Sequence, residues 1–264
     1  MANVRVDRHH HITVVTIDRP EKLNAFTSAM TADLTAIMRE FDRDPDQYVA
    51  VITGAGEKAF SAGFDLSEMS DRFAGGDVRV GVNSVDLWGV GSSPKPTIAA
   101  VNGLAVAGGF ELALNCDIRI AADSAWFGLM EVQRGIMAGV GVNLLARYLP
   151  IGEALYLLMT GDRMSVDDAH RLGLVQRVCT VEELPDTSMA VAERIAANSQ
   201  PAVQASKRVA SFWRNLAVRE QVDYYRSINQ TLLLGEDVLE GPRAFKERRP
   251  PRFTNRWPSP PPPD

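Results

Sequence analysis

Two segments, residues 12–18 (ITVVTID) and 48–54 (YVAVITG), are dense in β-branched residues and bounded by turn formers, which predicts two strands. Between them Met30, Leu34, Ile37, Met38 and Phe41 recur at helical spacing, predicting one amphipathic helix that ends near Pro45. Strand, helix and strand in close succession form a βαβ unit. The pattern recurs with a strand at 97–102 (TIAAVN), a short helix at 108–115 and a strand at 116–121 (CDIRIA). From 139 onward the strand signals fade, and helical patterns take over at 139–148, 151–159, 165–172, 187–198, 201–214, 217–234 and 237–247. The chain therefore reads as an N-terminal α/β core followed by a helical C-terminal third. The Gly-rich, weakly periodic span 70–93 predicts a mobile surface loop, and the tail at 258–264 (PSPPPPD) predicts disorder or polyproline conformation.

Composition narrows the partners more than the fold. The chain has 264 residues, 45 % hydrophobic and 23 % charged, which is ordinary for a globular protein of one large domain. Its 28 Lys+Arg against 33 Asp+Glu leave a net charge of −5, which argues against nucleic acid as the main partner. Cys116 and Cys179 lie far apart with no CxxC spacing, so neither a disulfide framework nor a cysteine metal site is predicted. The N-terminus lacks the apolar core of a signal peptide, and the most hydrophobic stretches, near 97–114 and 135–146, are Gly-interrupted and too short to span a bilayer. A cytoplasmic protein with no membrane partner is expected. His9, His10 and His11 directly precede a strand, where alternation sends neighbours to opposite faces, and His170 stands in a predicted helix. No metal site is assigned.

Candidate chemistry gathers where Gly-rich turns come after strands. AFSAGFDL at 59–66 and VNGLAVAGGFEL at 101–112 each place an unencumbered backbone amide at a strand end, where α/β folds bind ligands. Gly108-Gly109 opens a helix whose first-turn N–H groups lack intrahelical partners and carry partial positive charge, a site suited to a developing oxyanion. Glu111 falls in that first turn, in reach of the same region. Glu131 is flanked by apolar residues, which raise a carboxyl pKa toward the range useful for proton transfer. A paired-carboxylate glycosidase is disfavoured, because no aromatic-rich sugar cleft is evident and the amide sites would have no role.

These residues resemble a known family. DRPEKLNAF at 18–26, FSAGFDL at 60–66, AVNGLAVAGGFELALNCD at 100–117, FGLMEVQRGI at 127–136, TGDRMSVDDAHRLGLVQRV at 160–178 and EDVLEGPRAFKERR at 236–249 are similar, in order, to the signature segments of the crotonase (enoyl-CoA hydratase/isomerase) superfamily. The likeness spans roughly residues 10–255. It implies an α/β fold, a spiral of repeated ββα units over 1–198, a C-terminal helical trimerisation region over 199–257, and the Pro-rich tail. It implies binding of an acyl-CoA thioester whose enolate is held by the N–H groups of Phe64 and Gly108, and a homotrimer or dimer of trimers.

The same resemblance assigns hydratase chemistry to Glu131, as main proton donor and acceptor, and to Glu111, which holds and helps deprotonate the water. No separate cofactor is implied, since coenzyme A belongs to the substrate. Its adenine would lie by the backbone near Lys22, Leu23 and Ala25 and near Ala62, Asp65 and Leu66, with Phe245 and Arg248 of the basic C-terminal cluster touching adenine or phosphates. Met130 before Glu131, and Ala138 to Leu145 after it, depart from the usual hydratase pattern and alter the wall around the acyl group. Several segments look especially similar to carnitinyl-CoA dehydratases. Isomerase activity or non-catalytic acyl-CoA binding on the same scaffold are the alternatives.

Overall fold

The computed structural model of the chain describes residues 3–74 and 86–257. It opens with an antiparallel hairpin, β1 (Val4–His9) and β2 (Ile12–Ile17). The sequence pattern does not reveal β1: VRVDRH has few apolar residues because it is an edge strand with a largely exposed face. The histidines form the tip of this hairpin, with His10 in a left-handed conformation and the His11 ring stacked on Tyr48 at 4.1 Å. The amphipathic helix α1 (Ser28–Arg43) is N-capped by Thr27, whose side chain accepts the Met30 N–H, and buries all five residues of the apolar stripe.

Beyond α1 the chain repeats a unit of strand, strand and helix. The first unit is β3 (Val49–Gly54), β4 (Ala59–Ser61) and α2 (Leu66–Ala74). The second is β5 (Thr97–Val101), β6 (Leu104–Val106) and α3 (Gly108–Asn115). The third is β7 (Ile118–Ala122), β8 (Trp126–Gly128) and a single 3-10 turn, Glu131–Arg134. The helical remainder comprises α4 (Val140–Tyr148), α5 (Ile151–Thr160), α6 (Val166–Arg171), α7 (Leu184–Ala196), α8 (Gln200–Ala210), α9 (Phe212–Leu233) and α10 (Asp237–Lys246). Two short strands interrupt it, β9 (Met164–Ser165) and β10 (Arg177–Cys179).

The strands sort into two mixed sheets, β1-β2-β3-β5-β7-β10 and β4-β6-β8-β9. The first strand of each unit enters the larger sheet and the second enters the smaller one, so each unit advances both sheets by one parallel strand. That advance is the spiral. β5 is buried at every position and β3 at all but one, as expected for central parallel strands covered on both faces. One face of the large sheet packs on α7 through Ile12, Val49, Val51, Ile98 and Ile120 against Leu184 and Ala192, and the other meets the main core. The expected loop at 70–93 differs in its first part, which ends α2; residues 75–85 of it, and the tail 258–264, lie outside the described residues.

A clamp ties the DRPEKLNAF segment to the start of the small sheet. Asn24 is fully buried, and its side-chain amide donates to the Ala55 and Ala59 carbonyls at 3.0 and 2.7 Å while its Oδ1 accepts the Arg19 N–H at 3.0 Å. Leu23 and Asn24 both adopt left-handed backbone, at φ 52° and 56°, an outlying geometry held by these bonds. Asn24→Ala removes three hydrogen bonds, leaving the Ala59 carbonyl its bond from Asn102 Nδ2 but the Ala55 carbonyl and the Arg19 N–H without the clamp, and is expected to lower unfolding free energy by about 2–4 kcal/mol, measured by urea denaturation. A loss under about 1 kcal/mol would show that the clamp does not hold the segment.

Candidate active site

Because the spiral sets β4, β6 and β8 side by side, the residues just after each strand converge although they lie dozens of positions apart. Phe64, Gly108 and Glu131 occupy equivalent places after successive strands, whose axes in a sheet lie about 4.8 Å apart. Phe26 forms a parallel bridge with Phe64: its N–H donates to the Gly63 carbonyl at 2.8 Å and its carbonyl accepts the Asp65 N–H at 2.9 Å. In such a bridge the amide of Phe64 itself faces away from Phe26. Gly63 has φ +81°, and a Cβ there would stand 2.8 Å from the Gly108 nitrogen, so the two donor segments touch.

Ala107, ahead of α3, has φ 49° and ψ −128°, a conformation suited to glycine. Its N–H donates to the Gly128 carbonyl and its carbonyl takes the Glu111 N–H, so the Gly108 N–H belongs to the first helical turn and has no helical acceptor. A Cβ on Gly109 would collide with the Ser61 carbonyl, which explains the second glycine of the pair.

Glu111 is 4 % exposed, and its Oε1 accepts the Gly141 N–H at 2.8 Å. The carboxylate thus docks on the N-terminus of α4 while lining the same cavity as Gly108, in the region its spacing predicts. Burial pushes its pKa up, opposed by the N–H groups of Gly141, Gly139 and Val140. Glu131 follows β8, and its Oε2 is buried with no hydrogen-bond partner among the described residues. Burial, followed by the nearby Glu111 charge, raises its pKa from the ordinary 4.5 to about 8. Two carboxyls in mutual electrostatic contact therefore differ in role: three amide donors, those of Gly141, Gly139 and Val140, favour the charge of Glu111, whereas only its own backbone N–H favours that of Glu131.

Both glutamates line one cavity of about 680 Å³ together with Phe64 and Gly108. The four residues named from the sequence as chemical machinery thus share one space. Lys22, Leu23 and Ala25 form part of its wall, as do Ala62, Asp65 and Leu66. Burial would raise the Asp65 carboxyl, but the Arg19 guanidinium at 2.8 Å and the Ser67 N–H hold it below the usual range. Phe245 of α10 also lines the cavity. Arg248 does not: it lies past the helix end, exposed and with φ 54°. The cation at Phe245 is Arg134, whose guanidinium lies 5.0 Å from the ring centroid, and Arg163, stacked on Trp126 at 4.1 Å, is a second arginine of the wall. α10 is pressed onto the Glu131 turn so tightly that a Cβ on Gly241 would collide with the Arg134 carbonyl.

Sequence reasoning also misses Tyr225 and Asn229 of α9, which reach the same cavity, and Ile136 and Met137 after the Glu131 turn. Nothing local to residues 217–234 marks them, since a helical apolar pattern reads identically whether it covers a core or a cavity. Phe64 packs edge-on to Phe26, at 5.8 Å, and to Trp88, at 6.4 Å. From the expected loop at 70–93, none of residues 86–93 lines the cavity.

Comparison with known proteins agrees with this geometry. The family model described as Enoyl-CoA hydratase/isomerase matches residues 7–256. The chain belongs to that family, the crotonases. It is 38 % identical to an (E)-benzylidenesuccinyl-CoA hydratase of Thauera aromatica over 95 % of this chain and 98 % of that protein. It is also 38 % identical to a carnitinyl-CoA dehydratase of Citrobacter koseri, over 94 % and 97 % of the two chains. The crystal structure of a carnitinyl-CoA hydratase from Mycobacterium avium superposes with a TM-score of 0.84 at 38 % identity, covering 96 % of this chain and 99 % of that one. The two mixed sheets with C-terminal helices are thus the crotonase fold, and the chain is a crotonase of the hydratase/dehydratase type.

Proposed function

We propose that this crotonase is an enoyl-CoA hydratase that adds water reversibly across the double bond of a 2-enoyl-CoA thioester. The observation that carries the reading is the pair of buried carboxyls, each within the other's field, sharing a cavity with two main-chain N–H groups on adjacent strand ends. The thioester oxygen lies between the Phe64 and Gly108 amides, which stabilise the negative charge that develops as the α-carbon becomes nucleophilic. Glu111 holds a water and helps take its proton as the oxygen bonds to the β-carbon. Glu131, protonated up to about pH 8, gives a proton to the α-carbon and is the main proton donor and acceptor in both directions. Net, one water is added, and a proton passing from Glu111 to Glu131 resets the pair. General acid–base catalysis of this kind contributes about 10²–10⁴ in rate, and one oxyanion donor about 10²–10³.

Lys22, Leu23, Ala25, Ala62, Asp65 and Leu66 would receive the adenine end, with Phe245 and Arg134 beside it. The test is turnover of crotonyl-CoA monitored by loss of enoyl absorbance, with kcat in the range of about 1–10³ s⁻¹. No hydration, but migration of a 3-enoyl double bond, would make it an isomerase. Tight thioester binding without any turnover would make it a binding protein. Dehydration of a 3-hydroxyacyl thioester is the same reaction run backwards, and the relatives named carnitinyl-CoA dehydratase support that direction.

The same reading includes a trimer, or a dimer of trimers. Ile151, Leu155 and Met159 form an exposed apolar stripe along α5 that supports contacts between copies. The reading also places the enzyme in the cytoplasm, consistent with two unpaired cysteines, and no helix among the described residues is long and apolar enough to cross a membrane.

A further inference from the structure

One wall of the cavity is polar in a way that the hydration chemistry does not use. Tyr225 and Asn229 stand one helical turn apart on α9, which packs against α4, and both line the cavity. They are 6 % and 3 % exposed. Asn229 Nδ2 is buried with no hydrogen-bond partner among the described residues. The Tyr225 hydroxyl lies 3.6 Å, and Glu111 Oε1 3.5 Å, from the point where a Cβ on Gly139 would begin, so the phenol sits near the Glu111 carboxyl. Burial, with Glu111 and Glu131 adding to it, pushes the phenol pKa upward, so Tyr225 is a neutral O–H donor at physiological pH. Below these two residues the cavity becomes apolar again at Leu233.

An orphaned buried donor is a standing cost, which a ligand removes by supplying an acceptor. The chemistry of the surroundings decides which acceptor. A cation is refused by the unpaired amide N–H, and an anion is refused by the Glu111 carboxylate close by. A neutral oxygen fits both constraints.

We infer that Tyr225 and Asn229 are specificity-determining residues that recognise a neutral oxygen, a hydroxyl or a carbonyl, carried on the acyl chain beyond the reacting carbons. The inference rests on the thioester reading above and deepens it: the substrate is an oxygenated enoyl-CoA rather than a plain alkyl one. Tyr225 lies near Glu111, whose water adds to C3, and four residues along a helix rise about 6 Å. The oxygen therefore belongs on C4 to C6.

The test uses the full chain and four saturated, unreactive ligands: hexanoyl-CoA and its 4-, 5- and 6-hydroxy derivatives, titrated calorimetrically. The corresponding 2-hexenoyl thioesters are assayed for turnover. The wild type is expected to bind one hydroxylated ligand at least about tenfold more tightly than hexanoyl-CoA, and its kcat/KM is expected to take the same order. Asn229→Leu, close in volume but without the amide, is expected to bring that ratio to within about twofold. Tyr225→Phe is expected to lower it about three- to tenfold.

Equal binding of all four ligands by the wild type overturns the inference while leaving the hydratase reading intact. So does a ratio that survives in Asn229→Leu. A variant that loses both ligand types in equal proportion, with a lowered melting temperature, assigns the residues to folding alone and also overturns it. Failure of the wild type to bind any of the four overturns the thioester reading and this inference together.

Discussion

Glu131→Gln lowers kcat for crotonyl-CoA hydration by about 10³–10⁴-fold while leaving the affinity for butyryl-CoA within about threefold. The reason is that the glutamine keeps the size of the side chain but holds no transferable proton. In the wild type, burial and the adjacent Glu111 keep that proton in place to about pH 8, so the acid is loaded at working pH. The variant can still seat the thioester, since the Phe64 and Gly108 amides belong to the main chain and are fixed by β4, β6 and the Asn24 clamp. The loss therefore falls on kcat. Glu111→Gln is expected to lower kcat as well, by about 10²–10³-fold, and the double variant to be little worse than Glu131→Gln alone, since in the proposed reaction the two carboxyls act on one water as a unit. Steady-state kinetics with calorimetric binding checks this. A kcat for Glu131→Gln within tenfold of wild type would remove Glu131 from the chemistry.

The same residue sets a pH dependence of stability. In the unfolded chain a glutamate releases its proton near its ordinary pKa of 4.5, whereas in the folded chain Glu131 retains it to about 8. Between these values the folded state binds more protons, so stability declines as pH rises. The contribution is fully favourable below 4.5, is lost across the window, and has gone above about 8. At about 1.4 kcal/mol per pH unit, the wild type gives up on the order of 3–5 kcal/mol from this group. Glu131→Gln does not titrate there. It is therefore expected to be close to wild type in stability at pH 5 and more stable than wild type at pH 9. Thermal melts of both proteins at the two pH values read this directly. A wild-type advantage that grows from pH 5 to pH 9 would show that Glu131 is ionised in the folded enzyme and that the proton resides elsewhere.

Both predictions concern residues that the sequence exposes, for a local reason. Glu111 lies within the run after Gly108-Gly109, and Glu131 within an apolar run, so each is marked by its immediate neighbours. The long strands β2 and β3 and the helix α1 are equally legible, because a run rich in β-branched residues or four turns of amphipathic spacing constitutes a signal by itself. β4, β6, β8 and β9 are not, since two or three residues hold no period; they are strands only because neighbouring turns of the spiral supply their partners. β10 escapes notice for the same reason, lying among helices and recruited to the sheet edge beside β7.

The chain alone determined the inventory: the main strands and helices, two buried acids, two turns with available amides, and the family pattern that unites them. The tertiary structure decided adjacency. Phe64, Gly108 and Glu131 meet because the repeat moves the small sheet by one strand per unit. Glu111 turns to the N-terminus of α4 because the amides there are the available donors in its buried surroundings. Within this chain's own cavity the cation beside Phe245 is Arg134, because α10 is locked to the Glu131 turn through Gly241 and ends before Arg248. Tyr225 and Asn229 arrive from a helix almost a hundred residues beyond Glu131, a distance over which a chain leaves no local record. Only packing against α4 gives that helix its face toward the cavity.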